Sequence, residues 1–210
     1  MMLRRNFLSR FSAAAALFGA GAQKSPEAAP GPFEPARHAR DDWFDQLPGK
    51  HRVVFDTWTA DKFDDAIRFA NNIFRGNKDG YDLTERDHAV VIVVRHRTAP
   101  FAFNDAMWTK YGKPFAERME LADSRTKQPP TTNPHGAPLS ALIKQGVHLA
   151  VCNLTTRSLT QRLSEIAGKT PDEVYQELTT NTLGNAHFVP AGVLGVTRAQ
   201  ERGYAVISIG

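Results

Sequence analysis

The sequence predicts an α/β protein, a three-layer α/β/α sandwich around a mainly parallel five-stranded sheet. Two observations carry the prediction. From residue 51 to the end, strand-like apolar runs alternate with stretches whose apolar residues recur at three and four. One of those runs, Ala89-Val90-Val91-Ile92-Val93-Val94, is a continuous apolar stretch dominated by β-branched residues, as expected of a strand covered on both faces. With 210 residues and 41% hydrophobic composition the chain has enough apolar material for one such domain. Nothing repeats at a fixed period, which argues against a solenoid or propeller.

Taken in order, residues 51–57 read as the first strand. Asp61 is placed to cap a helix carrying Phe63, Ala66, Ile67, Ala70, Ile73 and Phe74, with Gly76 as its stop. Residues 87–94 form the second strand. Residues 147–152 form the third, which ends on the only cysteine of the chain. A helix over 157–167 follows, closed by Gly168. Thr170-Pro171-Asp172-Glu173 is a capping box that opens another helix. Residues 186–190 make the fourth strand, 193–202 a helix and 204–209 the last strand.

Between the second and third strands, 96–138 is irregular in pattern. Asn104 or Asp105 is placed to cap a helix with Met107, Trp108 and Tyr111, and the Pro-rich stretch 128–138 is expected to be neither helix nor central strand. So long a connection suggests a lid, a binding loop or an oligomer contact, with a plain surface insertion as the alternative. In the binding reading, Phe101, Phe103, Trp108 and Asn133 hold a small ligand; core packing is the default for the three aromatics.

The first 22 residues read as an address. Arg4-Arg5 precede Asn6-Phe7-Leu8 and a short Ala- and Gly-rich apolar run that ends in Ala20-Gly21-Ala22, a small-x-small pattern. Together they resemble a twin-arginine export signal, with an uncleaved amphipathic N-terminus as the alternative. The expectation is therefore a periplasmic or otherwise exported protein that uses the twin-arginine machinery and has no stable membrane anchor. Residues 23–45, with Pro26, Pro30, Pro32 and Pro35, have linker composition, and 46–210 is the expected domain. The formal charge is +4, and setting aside the three arginines of the first 22 residues leaves +1. With no basic, aromatic-interleaved stripe, nucleic acid is not an expected partner. One cysteine excludes an internal disulfide.

In open parallel sheets ligands bind beyond the carboxyl ends of the strands. That edge should gather Asp56, Thr57, Arg95, His96, Arg97, Cys152 and Asn153, while His88, His148 and His187 fall toward the other. His148 and Cys152 share a strand face but stand about 13 Å apart, too far for one metal. No zinc spacing, phosphate-binding glycine fingerprint or G-x-S-x-G occurs, so neither a metal nor a cofactor is expected. Cys152 is the sharpest candidate. A thiol facing a helix N-terminus, with Arg157 and Arg95 to Arg97 nearby, sits where a thiolate or persulfide anion is favoured. His96 is the candidate proton carrier beside it, and a buried, inert thiol is the alternative.

Val151-Cys152-Asn153 before a helix, Val189-Pro190-Ala191-Gly192-Val193, and Gln200-Glu201-Arg202-Gly203-Tyr204-Ala205-Val206-Ile207 resemble the DsrE/DsrF-like domain of bacterial sulfur-relay proteins. The likeness spans 52–210 in element order. It implies a parallel α/β/α domain that assembles into homo-oligomers, a persulfide on Cys152, and a partner protein that donates or accepts sulfur. The apparent export and the 96–138 segment depart from that pattern. Two functions follow as expectations: sulfur handling at Cys152, or a non-catalytic oligomeric module that binds a small ligand or serves as an accessory protein.

Overall fold

A computed structural model describes residues 34–122 and 127–210. The expected signal and most of the expected linker lie outside these residues. Five strands, β1 (His51–Thr57), β2 (His88–Val94), β3 (Val147–Cys152), β4 (Ala186–Val189) and β5 (Ala205–Ile209), form one all-parallel sheet in the order β4-β3-β2-β1-β5. All seven residues of β2 are buried at the centre of this order. That position explains its unbroken apolar run, because both of its faces meet side chains rather than water.

The two sheet faces build two cores. Val53, Phe55, Val90, Ile92, Val94, Val147, Leu149 and Val151 point to one. There they meet α2 (Phe63–Tyr81), α3 (Asp105–Met119), α4 (Gly136–Lys144), α5 (Asn153–Ala167) and α6 (Pro171–Thr180). Val54, Ala89, Val91, Val93, Ala150 and Val189 point to the other, where they meet α1 (Trp43–Gln46) and α7 (Gly192–Gln200). The three-layer α/β/α sandwich is thus present, with five helices on one face and two on the other among the described residues.

Several boundaries differ from the sequence reading. The stretch assigned to the linker folds at its end: residues 39–41 form a 3₁₀ turn, α1 follows, and Phe44 is fully buried against the second core. Burial of one aromatic ring outweighs linker-like composition. In α2 neither Asp61 nor Gly76 acts as expected. The N-cap is Lys62 without a side-chain bond, and the helix runs through Gly76 to Tyr81 before Asp82 turns left-handed at φ 53°. A Cβ at Gly76 would meet nothing, so this glycine is simply a tolerated surface position of the helix.

The largest difference is in 96–138. Rather than a lid it holds a 3₁₀ turn (Ala99–Ala102) and α3, both packed into the first core, and the first residues of α4, of which Ala137 and Pro138 are exposed. Asn104 caps α3 as expected, its Oδ1 accepting from the Met107 N–H at 3.3 Å. Pro138 sits in the first turn of α4, where a missing N–H leaves no helical bond unmade, so the Pro-rich stretch does enter a helix. The segment before α4 crosses α3 at Gly112, where a Cβ would lie 2.1 Å from the Pro130 carbonyl oxygen.

Candidate functional site at the carboxyl edge of β3

Cys152 closes β3 and is itself the N-cap of α5, which begins at Asn153, four residues earlier than its periodicity suggests. Its Sγ accepts from the Thr155 N–H at 3.5 Å and from the Thr155 hydroxyl at 3.3 Å. The thiol therefore occupies the place that a serine or aspartate oxygen takes in an ordinary N-cap, at the positive end of the helix dipole. Thr155 Oγ1 in turn accepts the His96 N–H at 3.2 Å, which leaves its own hydrogen for the sulfur.

The turn after β2 that brings His96 there is held tightly. His96 is left-handed at φ 53°, and Thr98 Oγ1 ties the turn together with bonds to the Arg95 N–H and to the Arg95 and Thr57 carbonyls. The Arg97 N–H also donates to the Trp58 carbonyl at 3.2 Å. His96 contributes its backbone to the site. Its side chain is exposed and makes no hydrogen bond to the sulfur, so the expected proton carrier is not engaged.

Arg95 forms a two-pronged pair with Asp56, Nε to Oδ1 at 2.7 Å and Nη2 to Oδ2 at 2.9 Å, and its guanidinium lies 5.0 Å from the centre of the Trp58 ring. The Asp56 hydrogen bonds hold Arg95 above its ordinary pKa, and Cys152 adds to the same effect from within electrostatic reach. Arg118, near the end of α3, also feels Cys152. Burial pushes its pKa down, with Arg97 and Arg162 adding to the fall, and Cys152 opposes them. Its Nε is buried without a hydrogen-bond partner among the described residues. Arg97 pairs with Glu120 at 2.7 Å, and Arg162 pairs with Glu117.

The edge thus unites Cys152, Asp56, Arg95 and Arg97, as the sequence suggested, but not every candidate. Arg157 turns to α6, donating to Asp172 at 2.8 Å with its guanidinium 3.5 Å over the Tyr175 ring. Asn153 accepts from the Tyr175 hydroxyl at 2.8 Å and likewise serves the α5–α6 contact. Phe101, Phe103 and Trp108 are 0% exposed; they are core, and the Trp108 indole donates to the Pro100 carbonyl at 3.1 Å. Asn133 is buried and structural, its amide donating to the Phe101 and Phe103 carbonyls, both at 2.8 Å. Sequence reasoning missed Thr155 and Arg118. Thr155 was legible in principle, because a cap and its partner stand three apart, but only once the helix start is placed at 153. Arg118 carries no such signal.

Cys152 is 6% exposed, and a cleft of about 680 Å³ lies elsewhere, lined by residues that include Asn71, Phe74, Lys78, Leu83 and Gln145. No group of three or more His, Cys, Asp or Glu residues suited to a metal occurs among the described residues, and no described helix is long and apolar enough to cross a membrane. Near the amino edge, His148 Nδ1 and His187 Nε2 stand 2.9 Å apart, and Trp43 stacks on His187 with ring centres at 4.0 Å.

The fold and this edge define an all-parallel α/β protein whose only thiol caps a helix beside two arginines. No protein-family model matches the chain. The search of curated proteins likewise gives no match. A solved structure similar to this chain is that of a protein of unknown function from Methanobacterium thermoautotrophicum, at 18% identity. The similarity covers 76% of this chain and 99% of the other, with a TM-score of 0.43.

Proposed function

We propose that this chain is an exported sulfur-handling protein of the DsrE-like type, with Cys152 as the atom that carries sulfane sulfur. The observation that supports this most is the pair of donors from Thr155 on Sγ at a helix N-terminus, with Arg95 and Arg118 in electrostatic reach. Such donors and cations would accommodate the negative charge of a persulfide carried on this sulfur. In the step, the Cys152 thiolate attacks the outer sulfur of a donor persulfide. A new S–S bond forms at Cys152, the donor S–S bond breaks, and the donor leaves as a thiolate with the electron pair. An acceptor thiolate reverses the process, so no external oxidant is needed. Export rests on the residues of the twin-arginine pattern, and homo-oligomerisation and a donor or acceptor protein rest on the resemblance.

The burial of Cys152 favours a second reading, in which the thiol is an inert core residue and the chain is a non-catalytic binding or accessory protein. Intact mass after treatment of the signal-less protein with a sulfane-sulfur donor separates the two. Gain of one sulfur atom by wild type and none by Cys152→Ser supports sulfur carriage. A thiol that neither gains sulfur nor is alkylated until the protein is denatured refutes it.

A further inference from the structure

Among the described residues two helices cover the second sheet face, and the smaller cover is a short segment, residues 39–47, held at a few identifiable points. Phe44 plugs the core among Val54, Val91, Val93 and Tyr204, and its carbonyl accepts from the Tyr204 hydroxyl at 2.6 Å and from Arg52 at 3.2 Å. Trp43 lies flat on the His148–His187 pair, parallel to His187 within 1° and to His148 within 21°. The two imidazoles are 22° apart in plane with centres at 5.1 Å, so with nitrogens at 2.9 Å they meet edge to edge. One nitrogen must carry the hydrogen and the other must offer a lone pair. A pair protonated on both rings has no lone pair to share and repels itself.

We propose that residues 39–47 are an acid-released strap: protonation of the His148–His187 pair unseats Trp43 and lifts this segment from the sheet, uncovering the apolar face that Phe44 now fills. Burial holds His148 below its ordinary pKa and, with the repulsion of His148, pushes His187 down to about 4. A depressed imidazole releases its proton in the docked state and regains it when freed. Docking is therefore complete above about pH 6.5 and weakens as pH falls toward 4, by at most about one decade per pH unit for each proton taken up.

The charged groups around the pair are known. The strap carries Arg40, Asp41, Asp42 and Asp45. Asp45 meets Arg202 at 3.0 Å, Arg37 at 3.5 Å and Arg52 at 4.0 Å, and Asp41 meets Arg198 of α7 at 3.8 Å. Glu201, just after α7, pairs with Arg198 at 2.6 Å. Glu85, Arg86, His88 and Lys144 line the cleft that His148 borders. The Asp45 and Asp41 clamps are also carboxylates, and the test must separate them from the histidines.

The test follows the three indole N–H signals of the folded protein by NMR from pH 7 to pH 4, with Trp43→Phe for assignment and circular dichroism in parallel. The Trp43 signal should move toward that of a free indole, with the His148 and His187 ring signals changing at the same midpoint, while Trp58 and Trp108 hold. His187→Phe, which keeps a ring under Trp43 without a titrating group, should flatten the transition. His148→Gln, which keeps a hydrogen-bonding group, should flatten it too. The proposal is overturned if all three indoles move together with loss of the circular dichroism signal. It is equally overturned if the transition persists in both histidine variants and disappears in Asp45→Asn.

Discussion

A side chain at Gly192 would collide with Arg95. A Cβ placed there lies 2.4 Å from the Arg95 Cβ and 2.7 Å from its Cδ. The glycine of the Val189-Pro190-Ala191-Gly192 step therefore lets the stem of Arg95 pass the first turn of α7, so that its guanidinium reaches Asp56. Helix packing and the electrostatics of the Cys152 edge meet in this one contact.

Gly192→Ala should consequently displace Arg95, break the pair with Asp56 and lower stability by roughly 1–3 kcal/mol, the usual range for overpacking. Urea denaturation measures the loss. A change within a few tenths of a kcal/mol would show that Arg95 shifts aside at little cost and that the contact is not rigid.

Thr155 supplies both donors to the sulfur, and Thr155→Val deletes the hydroxyl while keeping the backbone N–H and the side-chain volume. A hydrogen bond contributes roughly 0.5–1.5 kcal/mol net, so loss of the hydroxyl that holds the sulfur should change the alkylation rate of native Cys152 by about two- to tenfold. Thr155→Ser should retain most of the wild-type rate. Equal rates in all three proteins would remove the hydroxyl from any role at the thiol.

Asn133 joins Phe101 and Phe103 to the segment before α4 through two bonds to buried carbonyls. Asn133→Ala leaves both carbonyls without these donors and should cost roughly 2–5 kcal/mol, read as a drop in the denaturation midpoint. Trp108→Ala should cost about 3–5 kcal/mol in the same measurement, as loss of a large core ring does. If instead either variant kept full stability and lost a ligand, the binding-site reading of this segment would return.

At the alkaline end, Tyr204 reports on the strap. Burial pushes its hydroxyl up to about 12, with Arg52 opposing. The folded state thus keeps the proton that the unfolded chain gives up near pH 10, so this contribution is intact below pH 10 and is lost as pH rises toward 12. Comparing thermal stability of wild type and Tyr204→Phe from pH 9 to pH 12 should show a wild-type loss of roughly 2 kcal/mol that the variant lacks. Parallel curves would mean that Tyr204 ionises freely in the native protein.

Local chemistry made much of this fold legible. The unbroken run of β2, the Thr170–Glu173 capping box and the Asn104 cap each depend on residues within one turn or one strand. The grouping of Asp56, Arg95 and Cys152 followed from parallel topology alone, because successive parallel strands end at the same edge. Less legible were choices that depend on contacts distant in sequence. Phe44 in a linker-like stretch gives no sign of its burial until the core that holds it is seen, and the aromatics of 96–138, with core packing as their default reading and a binding role beside it, are placed only by the core they enter.

By itself, then, the sequence determined the class of sheet, the order of its elements and the placing of a single thiol at a strand end before a helix. Periodicity and capping are properties of neighbours along the chain. Only the tertiary structure decided that Arg157 and Asn153 serve α6, that Thr155 and Arg118 come to the thiol, and that Trp43 lies on two histidines from different strands. Those outcomes depend on which side chains meet across the sheet, where a difference of one helical turn or one strand position redirects a side chain to another partner.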